Sequence, residues 1–167
     1  MLDYRKFISE KRRNQPTPKA LVEKGKAHFG TFNNEFSNLN ILDCARPTKW
    51  GNLFKKKKLS LWEALTVEFD EGMLLSAVVN LGFFGMGFNV FFEKKTNKVY
   101  SFRTVVRANQ VKFADNLLDG KETSIDVPDL EFSFLNDFGD GFVQVDNIHT
   151  NKKVGSIEYH LKLNTLS

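Results

Sequence analysis

The 167-residue chain carries 41% hydrophobic and 26% charged residues, a balance that excludes a disordered polypeptide and allows one domain with a sizeable core. Its formal net charge of +4 is concentrated in Lys11, Arg12, Arg13 and the four lysines at 55–58, while the strand-like segments are nearly balanced, which argues against a basic face for nucleic acid. No segment is apolar over the length a membrane-spanning helix needs, the N-terminus lacks a secretion signal's apolar core, and the single Cys44 excludes an internal disulfide framework, so a cytoplasmic setting is expected.

Residues 1–20 read as a charged lead-in with at most a short helix. Leu2, Phe7 and Ile8 offer only a thin apolar stripe, and Pro16 and Pro18 force extended backbone behind it. From 21 to 167 the pattern is that of a single β domain. Leu21 and Val22, then Phe29 and Phe32, flank Gly25 and Gly30, which predicts a short hairpin followed by a polar loop over 33–40. Residues 40–52 show no clear period. Over 59–69 the chain alternates, with Leu61, Glu63, Leu65, Val67 and Phe69 on one side and Trp62, Ala64, Thr66 and Glu68 on the other. After a turn at 70–72, the apolar run over 73–81 predicts a strand buried on both faces.

Gly82, Gly85 and Gly87 interrupt a very aromatic stretch and mark a bend or the close approach of another group. A phosphate-cradling loop is excluded, because a strand and not a helix follows them. A polar turn over 94–98 leads into a strand over 99–106, with fainter strands near 110–114 and 130–135. The last hairpin pairs 142–148 with 156–163 across 149–155. About ten strands joined by short turns, with helix confined to the lead-in and the loop before Leu59, predict a mainly β fold: an antiparallel lipocalin-like barrel or a strongly curved sandwich.

The compositional outlier is 17 Phe against 2 Trp and 3 Tyr, which points to a bulky sheet interior or an aromatic-lined cavity. Phe84, Phe88, Phe91, Tyr100 and Phe102 are the expected apolar wall of a ligand site. Asn80 and Arg103 are its expected polar groups, with a structural hydrogen-bonding role as the alternative. His28, His149 and His160 have no metal-ligand spacing, so neither a metal nor a cofactor is expected. In the last hairpin one register places Asp146 opposite His160, a carboxylate–imidazole pair capable of acid–base work; a shift by two places Asp146 opposite Glu158. These two are the candidate catalytic residues, and an exposed cross-strand pair is the plainer reading. The lysines at 55–58 read as a solvated guard beside a hydrophobic strand or as an anion-binding stretch.

Leu21-Val22-Glu23-Lys24-Gly25, Phe29-Gly30-Thr31-Phe32, Asn40, the basic run leading into Leu61-Trp62-Glu63, and Asn80-Leu81-Gly82-Phe83 followed by Lys94-Lys95-Thr96 resemble a bacterial and fungal family. That family is the domain of unknown function numbered twenty-eight-oh-four. The resemblance runs from about residue 21 onward and rests on dispersed positions. It implies a two-domain, lipocalin-like protein similar to carotenoid hydratase relatives, of which this chain would be the first half. In the family pattern an Asp and a Tyr stand where this chain has Asn80 and Phe83, which weakens any acid–base role carried over to that strand end. The expected function is binding of an apolar or amphipathic small molecule or lipid. The alternatives are a hydratase- or isomerase-like enzyme acting on a lipid or isoprenoid double bond, and a structural half-domain that packs on a second β barrel or self-associates. A half-domain of that kind would expose an apolar patch or an unpaired sheet edge.

Overall fold

The computed structural model describes residues 14–45 and 59–164. Most of the lead-in expected over 1–20 and the lysine run at 55–58 lie outside the described residues. Two small ribbons come first. β1 (Asn14–Gln15) pairs in parallel with β4 (Thr31–Phe32), and β2 (Val22–Glu23) folds back on β3 (Lys26–Ala27). The turn between β2 and β3 works because Lys24 and Gly25 both take positive φ, 50° and 77°, which matches the twist of a tight hairpin. Asn40 extends that ribbon with its side chain: Oδ1 accepts from Val22 N at 2.9 Å and Nδ2 donates to Val22 O at 3.0 Å. A 3-10 turn, Ile41–Asp43, follows.

Strict alternation then builds two antiparallel sheets. β5 (Leu61–Phe69), β6 (Gly72–Asn80), β7 (Phe84–Glu93) and β8 (Lys98–Arg107) pair in sequence order. After a 3-10 turn, Ala108–Gln110, the chain forms β9 (Val111–Lys112), β10 (Lys121–Val127), β11 (Leu130–Asp137), β12 (Phe142–Asn151) and β13 (Gly155–Asn164), again paired in order. Val78 and Val106 of the first sheet pack on Val111, Ile125, Leu130, Phe132, Phe134 and Val145 of the second. Burying one such side chain is worth about 1.5–3 kcal/mol, so this layer dominates stability.

The fold is mainly β and antiparallel, but the closed lipocalin-like barrel does not form. Among the described residues no pairing joins the outer strands β5 and β8 of one sheet to β9 and β13 of the other. Gly85 and Gly87 supply the physical reason. Both lie on the inner face of a continuous β7, where an added Cβ would collide with Val111 and Leu130 respectively. The glycines therefore mark a close approach, made by the opposing sheet, whose side chains fill the interior. The bend is confined to Gly82, at φ 84°, in the turn before β7.

The strand expected to be buried on both faces over 73–81 is so only at its middle, where Ala77 and Val78 are both fully buried; on the outer face Met73 is 42% exposed and Leu75 and Val79 are half-buried. Two other elements differ from the sequence reading. β10 has no clear hydrophobic signature because Thr123, a polar residue, takes one of its two fully buried places. The last hairpin loop is shorter than expected, with Asn151 already paired to Gly155, so His149 belongs to β12 and faces inward.

The outer faces of the sheets contrast. On the first, Trp62 is 74% exposed, Val99 63% and Val105 57%. On the second the outward row running across the strands reads Lys112, Ser124, Ser133, Asp146, His160. No described helix is long and apolar enough to cross a membrane.

Candidate functional site

β5 is an edge strand, and its alternation turns Leu61, Glu63 and Leu65 away from solvent. Beside it lies a cleft of about 520 Å3, walled by Leu39 and Leu42 before the strand, Phe113 and Leu117 after β9, and Phe134, Phe138 and Val143 around the β11–β12 turn. That volume falls within the range of small-molecule sites, about 300–1,000 Å3. Three polar side chains interrupt the apolar lining: Asn40, whose amide is spent on Val22 and Asp43, and the pair Asn136 and Glu63. Asn136 of β11, almost fully buried, donates from Nδ2 to Glu63 Oε1 at 2.7 Å. Burial pushes the Glu63 carboxyl above its ordinary 4.5, and hydrogen bonds from Thr123 and Asn136 only partly oppose that. Among the described residues, Glu63 has no ion-pair partner. A carboxyl in such a place can accept hydrogen bonds from a ligand, pair with a cation, or hold a proton at pH values where a solvated Glu is ionised.

A second buried polar cluster joins the two sheets, and its hydrogen bonds fix the tautomer of its histidine. Asn89 of β7 uses Nδ2 twice, donating to Asn147 Oδ1 at 3.0 Å and to His149 Nδ1 at 3.0 Å. His149 is therefore the neutral tautomer protonated at Nε2, which donates to Thr104 Oγ1 at 2.9 Å. Asn89 Oδ1 accepts from the Tyr159 hydroxyl at 2.5 Å, so Ser76 Oγ donates to that hydroxyl at 2.6 Å. Burial holds His149 below its ordinary 6.5 against the pull of Asp129, and pushes the Tyr159 phenol well above its usual range. Every member is satisfied, so the cluster reads as an inter-sheet tie.

The seven residues expected to hold a ligand do not share one place. In β7 the even positions face outward, so Phe84 and Phe88 lie on the exposed side of the first sheet while Phe91 faces inward. Phe91 stacks between Phe69 and Tyr100, and Phe102 packs against the His149 ring. Arg103 is exposed, with Nε directed at Met86 Sδ. Asn80, half-buried, donates to Ala108 O at 2.9 Å and accepts from Gly82 N at 2.8 Å, which is the structural role.

Asp146 does lie opposite His160, whose Nδ1 hydrogen-bonds Asp146 Oδ1. The pair sits on the outer face of the second sheet, in a broad open depression of about 1,010 Å3 that also holds Glu131 and Glu158. Burial raises the Asp146 carboxyl, but hydrogen bonds from Gln144 and His160 and the imidazolium charge outweigh it, for a net lowering. Among the described residues no group of three His, Cys, Asp or Glu side chains converges as a metal site.

Glu63 was not among the expected site residues, although the sequence carries a signal for it: it is the one charged residue on the apolar side of an alternating strand. Asn136 and Thr123 carry no comparable mark, because strands of the other sheet bring them to Glu63. Comparison with family models, with curated proteins and with solved structures finds no match for this chain.

Proposed function

We propose that this chain is a small-molecule-binding β domain whose ligand, apolar over most of its length, lies in the cleft beside β5. The observation that supports this reading is the apolar cleft interrupted by the buried Glu63–Asn136 pair. A packed core gains nothing from a half-buried carboxylate without a cation, whereas a binding site uses such a group to orient its ligand. Native mass spectrometry of the protein purified from cells tests it. A retained adduct of lipid-like mass is expected, lost when Leu39→Trp fills the cleft; an adduct-free protein that also takes up no added amphiphile overturns the reading. A cytoplasmic setting and kinship with the lipocalin-like, two-domain family belong to the same proposal, resting on the lone Cys44 and on the dispersed motifs.

A second reading draws support from a different place. The outward side of the first sheet presents Trp62, Met73, Phe84, Val99 and Val105 to solvent. Apolar surface of this extent is characteristic of a face that packs on another sheet, as in the structural half-domain reading. Sedimentation over a range of concentrations tests it, with association expected for the wild type and a monomer for Phe88→Glu. A strictly monomeric wild type removes self-association. The hydratase-like alternative has the weaker basis, since Asp146 and His160 face an open, polar depression instead of an apolar cavity.

A further inference from the structure

Of the cleft's three polar side chains, Asn40 is committed to Val22 and Asp43, which leaves Glu63 and Asn136 to present acceptors. Glu63 receives hydrogen bonds from Asn136 and Thr123 and, among the described residues, faces no cation. Asn136 spends its amide nitrogen on Glu63, and among the described residues its Oδ1 has no hydrogen-bond partner although the residue is only 2% exposed. The Asn136 amide oxygen and the half-buried Glu63 carboxyl therefore converge on one end of an apolar cleft, with no further side-chain donor between them among the described residues. A carboxylate-headed ligand, such as a fatty acid, would place like charges together, and a ligand without a polar head would leave both acceptors dry.

We propose that the cleft selects an amphipathic primary amine, its ammonium head donating to Glu63 and to Asn136 Oδ1 and its apolar chain lying along Leu65, Phe113, Phe134 and Val143. This rests on the binding reading of the cleft and adds the chemical class of the ligand. An ammonium has three donors, enough to satisfy both acceptors and keep one bond to water at the cleft mouth. Its charge also neutralises the carboxylate in a region where screening by solvent is weak, which makes the pairing stronger than the same contact on the surface.

The test is displacement of the uncharged dye Nile red by dodecylamine, dodecanol and dodecanoate, each kept below its micelle concentration. Dodecylamine is expected to displace the dye at least tenfold more effectively than dodecanoate, with dodecanol between them. Glu63→Gln should remove the amine's advantage while leaving dye binding intact. Should dodecanoate compete as well as the amine, or Glu63→Gln leave the order unchanged, the amine assignment is overturned and the cleft remains a binding site. Dye uptake that survives both Leu39→Trp and Ala114→Phe, but is lost in Phe88→Glu, puts the dye on the outer sheet face and removes the binding reading as well.

Discussion

Two places in this molecule bury polar side chains between its sheets, and they differ in one respect. Around Asn89 each polar side chain has a partner inside the protein, from Ser76 through Tyr159 to His149 and Thr104. Around Glu63 the internal donors run out among the described residues: Asn136 and Thr123 serve the carboxyl, and no described donor serves the oxygen of Asn136, a cleft-lining residue. A closed polar cluster fixes how two sheets face each other, because any other register would strand its groups without partners. An open one with surplus acceptors is what the proposal of a ligand rests on. Burial alone does not separate structure from function here; the balance of donors and acceptors does.

The sharpest test of the closed cluster is removal of its hub. Asn89→Ala strands the Tyr159 hydroxyl, Asn147 Oδ1 and the His149 Nδ1 at once, so a loss of about 3 kcal/mol or more is expected. That corresponds to a fall of roughly 6–12 °C in Tm for a domain of this size. Tyr159→Phe removes the hydroxyl's two hydrogen bonds, with Asn89 and Ser76, but leaves the His149 side intact, and should cost about 1–2 kcal/mol. Thermal melts that put Asn89→Ala within a degree or two of wild type would show that the cluster ties nothing.

How much of this could be read from the sequence follows from what alternation can and cannot say. The strands from 61 to 107 follow from period-two patterning and their turns, whereas Glu63, on the apolar side of its strand, was not among the expected site residues. The aromatic wall failed on the same rule. Phe84 and Phe88 differ in parity from Phe91, and Phe102 from Arg103, so within continuous strands these could never share a face. Abundant Phe drew the eye toward a cavity, while the glycines between them were making room for a second sheet. What stayed hidden is tertiary. Asn136 meets Glu63 across two sheets, and His149 enters the core only because its hairpin loop is short. The Asp146–His160 register was one of two that alternation allowed, and loop length decided it.

The two buried sites should also titrate in opposite senses. His149 has a folded pKa below its ordinary 6.5, so its contribution is present above that value and is lost as pH falls through the folded pKa. Glu63 has a folded pKa above its ordinary 4.5, so its contribution is complete below that value and is lost as pH rises through the folded pKa. Acidification from pH 7 therefore weakens the closed cluster while relieving the open one. Urea denaturation of wild type and Glu63→Gln from pH 4 to 8 separates them. Glu63→Gln should be the more stable at neutral pH, by about 0.5–1 kcal/mol. Its advantage should vanish toward pH 4, leaving the fall below pH 6.5 that belongs to His149. A difference between the two proteins that is flat in pH would remove Glu63 as a strained carboxyl.

The smallest effect is expected where the same chemistry lies in solvent. Asp146 and His160 form a hydrogen-bonded carboxylate–imidazole pair, yet their side chains are 44% and 64% exposed on the outer face of the second sheet. Water solvates both partners when they separate, and holding two side chains in one geometry costs rotamer freedom, so exposed pairs contribute little. Gln144 donates to Asp146 Oδ2 at 2.8 Å and would still serve the carboxylate after the imidazole is gone. His160→Ala should therefore change stability by no more than about 0.5 kcal/mol, and less at high salt. The lowered Asp146 pKa has a consistent sign: the pair's small contribution is present above the ordinary 3.8 and fades as pH falls through the folded value. Urea melts of His160→Ala and Asp146→Asn at low and high salt check this. A loss comparable to that of Asn89→Ala would mean that the outer face is as tightly coupled as the core, and the distinction between closed, open and solvated polar groups would fail at its simplest case.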